Sequence, residues 1–272
     1  MTSSPPPAPT PGRGALTLLA PISGVVVPLD RVPDPVFAQR LAGDGASIDP
    51  LGDLVVAPCD ATVRQLHRAH HALTLDVAGL ELVVHVGLDT VRLGGDGFHP
   101  LVAAGARVRA GEPLLRVDVD RVARRARSLL TEVVIANMDR VARLHVREGV
   151  VVAGRDPLLE VELVAPAGAM GHGADAAADS SAGATEATVR VGSRTGLHAR
   201  PAAVVAAAAR RFTAELRLVR DGREANARSV VSIMALEVGG GDAVTVVGRG
   251  PDAAAAVAAL RETLAADLDA AP

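Results

Sequence analysis

Short runs of Val and Leu, interrupted by Gly, Pro and Asp, dominate the first 165 positions. Their spacing predicts strands at Gly24–Leu29, Leu54–Ala57, Thr62–Leu66, Leu73–Val77, Leu80–Val86, Pro113–Val117, Val150–Ala153 and Leu158–Leu163. Two stretches, Asp120–Leu129 and Asp139–Arg147, have the spacing of short helices. Segments also echo one another: Ala20-Pro21-Ile22-Ser23-Gly24-Val25-Val26 is matched by Ala57-Pro58-Cys59-Asp60-Ala61-Thr62-Val63, and Val108–Leu115 by Val151–Leu159. Strand–turn units repeated within one domain favour a closed β-sandwich or barrel over βαβ units.

The pattern changes after Pro166. Residues 165–186 are Ala, Gly, Asp and Ser with almost no large apolar side chain, so they are expected to form a flexible linker. Beyond it the order is strand (Ala187–Val191), Ala/Val-rich helix (Arg200–Arg211), strand (Glu215–Arg220), an Asp221-Gly222 hairpin turn, strand (Glu224–Ala227), short helix (Ser229–Glu237), strand (Ala243–Val247) and final helix (Pro251–Leu268). This β-α-β-β-α-β-α order predicts an α+β open-faced sandwich, a four-stranded sheet with helices on one face. The expected organisation is a lead-in over 1–14, an all-β domain over 15–164, the linker, and the α+β domain over 187–272. A linker of that length has an r.m.s. span of roughly 25 Å, which motivates the expectation that the two domains meet.

Composition narrows the chemistry. The 272 residues include three Phe and no Tyr or Trp, so stacking platforms for bases or sugars are not expected. Every one of the 28 basic residues is arginine, and the net charge of −3 is too balanced for a nucleic-acid binder. The charge divides unevenly: the first domain is weakly negative and the second weakly positive, which favours docking between them. One cysteine, Cys59, excludes a disulfide framework and a thiolate metal site. The Pro-rich start has no apolar stretch of signal-peptide length and no later run is long enough for a membrane span, so a cytoplasmic location is expected. Eight histidines remain as candidate chemistry.

The sharpest local signal is Gly196-Leu197-His198-Ala199-Arg200-Pro201-Ala202-Ala203. Pro201 suits the first turn of a helix, so His198 sits at the helix start beside unpaired backbone N–H groups, with Arg200 adding a fixed cation. A neutral imidazole there is a nucleophile facing an anion site; a His that merely caps the helix is the alternative reading. The chain from Thr188 onward, through this motif and Asn226-Ala227-Arg228-Ser229-Val230-Val231, resembles HPr, the histidine-containing phosphocarrier of the bacterial phosphoenolpyruvate-dependent sugar phosphotransferase system. The resemblance implies that His198 accepts phosphate from enzyme I through Nδ1, with Arg200 assisting. It also puts Ser229 where some HPr proteins carry a regulatory phosphoserine, although an N-cap of the short helix is the favoured reading.

In the β domain, Leu82-Val83-Val84-His85-Val86-Gly87-Leu88-Asp89 sets a histidine in a Val-rich strand, and Arg68-Ala69-His70-His71-Ala72 precedes it. If the strands at 73–77 and 80–86 pair antiparallel, His71 lies beside His85, an arrangement able to share a phosphoryl group or a metal. The region from Leu18 to about Leu163 is similar to enzyme IIA of the glucose family. The similarity is carried by Leu19-Ala20-Pro21-Ile22-Ser23-Gly24, Val32-Pro33-Asp34-Pro35-Val36-Phe37-Ala38, Gly43-Asp44-Gly45, Val56-Ala57-Pro58, His85-Val86-Gly87-Leu88-Asp89-Thr90-Val91, Gly97-Phe98 and Ile135-Ala136-Asn137-Met138-Asp139.

That resemblance implies a histidyl phosphotransferase in which His85 accepts phosphate through Nε2. His71 supports transfer, Asp34 and Asp89 line the groove, and Phe37 belongs to an apolar docking surface. Ala69 departs from the family's usual Thr, and His70 lies between it and His71. The implied partners are enzyme I and a IIB/IIC sugar permease, the membrane being reached only through the permease. No cofactor is required, and zinc on His71 and His85 is a lesser alternative, as is a phosphorylation-dependent regulatory binding module. His67, His99, His145 and His172 match no motif and are expected to be surface or structural.

Overall fold

A computed structural model describes residues 15–164 and 184–268. The expected lead-in, most of the expected linker and His172 lie outside the described residues. In chain order the first domain holds β1 (Ala15–Leu19), β2 (Gly24–Val27), α1 (Pro35–Ala38), β3 (Asp44–Pro50), β4 (Leu54–Val56), β5 (Ala61–Leu66), β6 (Ala72–Val77), β7 (Leu80–Leu88), β8 (Phe98–Pro100), β9 (Arg107–Val108), β10 (Pro113–Val117), α2 (Val119–Ala123), β11 (Ser128–Ile135), β12 (Val141–Val146), β13 (Val150–Val151) and β14 (Pro157–Leu163). The second holds β15 (Thr185–Arg190), α3 (Ala199–Ala209), β16 (Glu215–Arg220), β17 (Arg223–Asn226), α4 (Val230–Ala235), β18 (Ala243–Arg249) and α5 (Ala253–Ala265).

The first domain is β-rich, as its turn spacing predicts. An eight-stranded antiparallel sheet runs β13-β2-β3-β11-β7-β6-β5-β9, and two three-stranded sheets, β1-β14-β12 and β4-β10-β8, accompany it. Its apolar core joins Leu18, Ile22, Ile48, Leu75, Leu82, Val84, Leu114, Leu115, Val133 and Leu158 with their neighbours. The sequence echo is structural: Ala20 N–H donates to Asp156 O and Ala57 N–H to Glu112 O, while Gly154 N–H donates to Ala20 O and Gly111 N–H to Ala57 O. Each repeat therefore pairs with the other copy's kind of turn, tying the sandwich together at two equivalent points.

Two expected helices are corrected. Asp139–Arg147 is a strand, β12, after a single 3-10 turn at Met138–Arg140. The step from Val141 to Leu144 is helical while Leu144 and Val146 alternate as in a strand, and pairing with β14, across a register shift between Val141 and Arg143, decides for the strand. The other, Asp120–Leu129, contracts to α2, capped by the Asp118 side chain accepting from Arg121 N–H, and the chain is extended again from Ser128. β11, unpredicted as a strand, lies in the middle of the large sheet between β3 and β7.

The second domain has the expected β-α-β-β-α-β-α order around a sheet β15-β18-β16-β17. Its Ala-rich α3 buries Ala202, Ala203, Val205, Ala206 and Ala209, small residues that let the helix lie close to its neighbours. One buried apolar cluster crosses between the domains. Leu29, Val32, Val36, Phe37, Val83, Leu88 and Val134 of the first domain belong to the same cluster as Leu197, Ala202, Val230 and Met234 of the second. Contacts between α1 and α3 lie at this seam.

Candidate functional site

His85 is positioned by sheet register. It pairs with Ala72 on β6 and with Glu132 on β11, and Glu132 in turn pairs with Ser47 on β3. Because side chains alternate faces along a strand, Ser47, Glu132, His85 and Ala72 form one lateral row, with Val83 and Val134 two residues along on the same face. That face meets the second domain, whereas Val84 and Val133 point into the sandwich core. The ring of His85 is only 6% exposed.

His71 sits just before β6, where its carbonyl accepts from Val86 N–H at 2.7 Å. The His71 and His85 rings meet edge-on with centroids 4.9 Å apart. The expected pairing of these histidines is therefore what the strands produce. Phe37 lies against the other side of His85 at 5.4 Å. Thr90 Oγ1 donates to Val86 O at 2.8 Å and so ties down the turn after the His85 strand; Asp89 occupies that turn in a left-handed conformation, φ 60°.

Asp34 caps α1: its Oδ1 accepts from Val36 N–H at 2.9 Å, and its Oδ2 accepts from Arg200 Nη2 at 3.1 Å. The second bond crosses between the domains, so Arg200 and Asp34, assigned separately from the two halves of the sequence, meet as an ion pair. His198 is the N-cap of α3, in extended conformation (φ −76°, ψ −173°), without a side-chain cap bond, and its carbonyl accepts from Ala202 N–H. Together with His67, Arg68, Ala69, Val91, Gly94, Thr195, Leu197, Glu237, Val238 and Gly239 it lines a cavity of about 280 Å³ at the domain seam.

Electrostatics favour neutral imidazoles here. Burial pushes His85 down to about 4, against the pull of Asp34, the Gly87 backbone and Asp89. His71 is driven well below its ordinary value, first by burial and then by the neighbouring His85 and His67 rings. His67 falls to about 4, mainly through burial, with His85 and His198 pushing the same way and Glu237 opposing. Neutral rings at pH 7 keep a nucleophilic lone pair.

Two residues escaped the sequence reading. His67, expected to be merely surface or structural, packs edge-on against His71 at 4.5 Å and lines the seam cavity with His198. The signal was its place four residues before His71, on the strand edge leading into the same turn. Glu132 is fully buried behind His85, its Oε2 3.4 Å from His85 Nδ1. Its trace in the sequence is the lone charge in Leu129-Leu130-Thr131-Glu132-Val133-Val134-Ile135.

His70 stands in a left-handed turn conformation, φ 56°, beside the buried Ala69. Ser229 caps α4, its Oγ accepting from Ser232 N–H at 3.2 Å, and borders a second interdomain cleft with Arg40, Asn137, Arg210 and Arg228. His99 and His145 are exposed. Among the described residues no three His, Cys, Asp or Glu side chains are grouped to hold a metal ion, and no helix is long and apolar enough to cross a membrane.

Comparison with known proteins places each half of the chain in a family. Residues 16–141 match the family model of the phosphoenolpyruvate-dependent sugar phosphotransferase system, EIIA 1, and residues 185–266 match that of the HPr component phosphorylation site. The chain is 43% identical over 147 residues to an N-acetylglucosamine-specific EIICBA component of Escherichia coli (strain K12), covering 53% of this chain but only 23% of that protein. It is 40% identical over 135 residues to a glucose-specific EIIA component of Bacillus cereus, covering 49% of this chain and 82% of the relative. In structure it is similar to glucose permease IIA from Mycoplasma capricolum, with a TM-score of 0.50 at 32% identity, over 54% of this chain and 95% of that one.

Proposed function

The chain belongs to the EIIA family of the phosphoenolpyruvate-dependent sugar phosphotransferase system, with an HPr component joined to it, and on that premise we propose that it relays a phosphoryl group from enzyme I to His198, then to His85, and on to a IIB component for sugar uptake. The observation that carries this reading is the seam itself. The helix that starts at His198 lies against the face of His85, and the Arg200–Asp34 bond holds the two together.

Each step is an in-line displacement at phosphorus between nucleophiles, and positioning supplies most of the catalysis. Nδ1 of His198 takes the phosphoryl group beside the free N–H groups of the first turn of α3 and the Arg200 guanidinium. Nε2 of His85 takes it next, while His71 supports transfer onward. Asp34, Asp89 and Phe37 contribute to the surface that receives partners. Both carriers are imidazoles, so the chemistry asks for no metal or cofactor, and partners of this kind place the relay in the cytoplasm. Covalent connection holds donor and acceptor at an effective concentration on the order of millimolar where geometry allows contact, which makes transfer within one chain the favoured route.

Labelling with enzyme I and phosphoenolpyruvate tests the order of the relay. The full chain is expected to carry acid-labile, base-stable phosphate on both histidines, His85→Ala on His198 alone, and His198→Ala on neither. Direct labelling of His85 in His198→Ala at the rate of the intact chain would contradict the order.

A further inference from the structure

Among the described residues, Glu132 is the one buried acid the relay leaves without a role. It is 0% exposed, in the middle strand of the sheet, directly opposite the phosphoacceptor. Oε2 approaches His85 Nδ1 to 3.4 Å without hydrogen-bond alignment, and neither carboxyl oxygen has an aligned partner among the described residues. The groups that face it are His85 on β7, Ser47 on β3 and Asp34 at the start of α1; beyond His85 lie His71, Asp89 and the Arg200 that Asp34 binds. An unpartnered buried carboxyl group is costly, so its place behind the acceptor ring calls for a function.

We propose that Glu132 is a positioning residue for the His198-to-His85 transfer: it lies behind Nδ1 of His85, on the side away from the reacting Nε2, and it supplies the countercharge when Nε2 takes the phosphoryl group. The inference rests on the relay proposed above. In the step, the Nε2 lone pair of His85 forms the new P–N bond as the bond from phosphorus to Nδ1 of His198 breaks. The electron pair of the broken bond stays on His198, which becomes a neutral imidazole with its proton on Nε2. His85, with a proton on Nδ1 and phosphorus on Nε2, now carries the ring's positive charge inside a dry site. Burial alone makes a cation there unfavourable, and a carboxylate 3.4 Å from Nδ1 offsets that cost.

Burial also pushes the Glu132 carboxyl well above its ordinary value, with its own backbone and Ser47 opposing and Asp34 acting the same way, which favours the protonated form beside a neutral His85. A cation on the filled His85 favours the ionised carboxylate, and the proton it gives up passes to water. Phosphorylation of His85 is thereby coupled to proton release, and its share of the label rises with pH.

The test uses the full chain, enzyme I and phosphoenolpyruvate, with the split of phosphate between His198 and His85 read by phosphorus NMR from pH 6 to 9. In the wild type the His85 share is expected to climb across this range. Glu132→Gln, which keeps the shape and removes the charge, is expected to lower that share at least about threefold at the alkaline end and to flatten the profile. Glu132→Asp is expected to restore part of the slope, which separates lost charge from lost folding, and label on His198 in the same sample shows that the first step is intact. A Glu132→Gln chain with the wild-type share and slope overturns the proposal. Absence of label on His85 in the wild type would instead overturn the relay on which it rests.

Discussion

Neutral imidazole is the state the proposed relay uses, and burial favours it at His67, His71 and His85. The same burial makes the domain acid-sensitive. A histidine whose folded value lies below its unfolded one contributes full stability above about pH 6.5 and loses it as pH falls toward the folded value. For His85, ending near 4, that loss is about 3 to 4 kcal/mol at roughly 1.4 kcal/mol per unit. Glu132, raised by burial, acts oppositely, losing stability as pH rises through its unfolded value, but it is one group against three. The urea midpoint followed by circular dichroism is therefore expected to fall between pH 7 and pH 5, and to fall less in His67→Gln. A midpoint independent of pH over that range would contradict it. At this scale the candidate acceptors His85 and His198 stand out in the sequence because each sits in a distinctive run of neighbours. Glu132 and His67 do not, because their meaning depends on a strand pairing and on a domain contact that neighbouring residues do not reveal.

Elements carry these residues into place, and the loop before α3 does so through one glycine. Gly196 has φ +80°, and a Cβ there would lie 2.0 Å from Val238 O. Leu197 N–H donates to that same carbonyl at 2.9 Å, and Ser193 Oγ donates to Gly196 O, so the loop is pinned on both sides of the glycine. Gly196→Ala is expected to cost the second domain about 2 kcal/mol or more and to slow labelling of His198 by displacing it. Wild-type thermal stability together with wild-type labelling would show that the loop tolerates the side chain. The alternating Val and Leu runs made most strands of the first domain readable, and Pro201 with the Asp-Gly turn marked the elements of the second. β12 was misread as a helix because the step from Val141 to Leu144 is helical, and in the strand that step is accommodated by a register shift in its pairing with β14. Missing β11 had the larger consequence, since it concealed the strand that puts Glu132 behind His85.

For the molecule as a whole, the docked seam bears on how the proposed relay runs. The opposite signs of the two domains hinted at a contact, but composition cannot say which faces meet. Shape and apolar matching do: α3 lies on the surface around Phe37, and the Arg200–Asp34 pair sits beside it. On the proposed relay, a seam of this kind is expected to make transfer from His198 to His85 an event within one chain, independent of its concentration. The most direct measurement compares the rate of label arriving at His85 in the intact chain with that in an equimolar mixture of His198→Ala and His85→Ala chains, both diluted stepwise from micromolar to nanomolar with enzyme I and phosphoenolpyruvate in excess. The expected result is an intact-chain rate that does not change on dilution and a mixture rate that falls in proportion to it. Equal rates at the lowest concentration would contradict transfer within the chain.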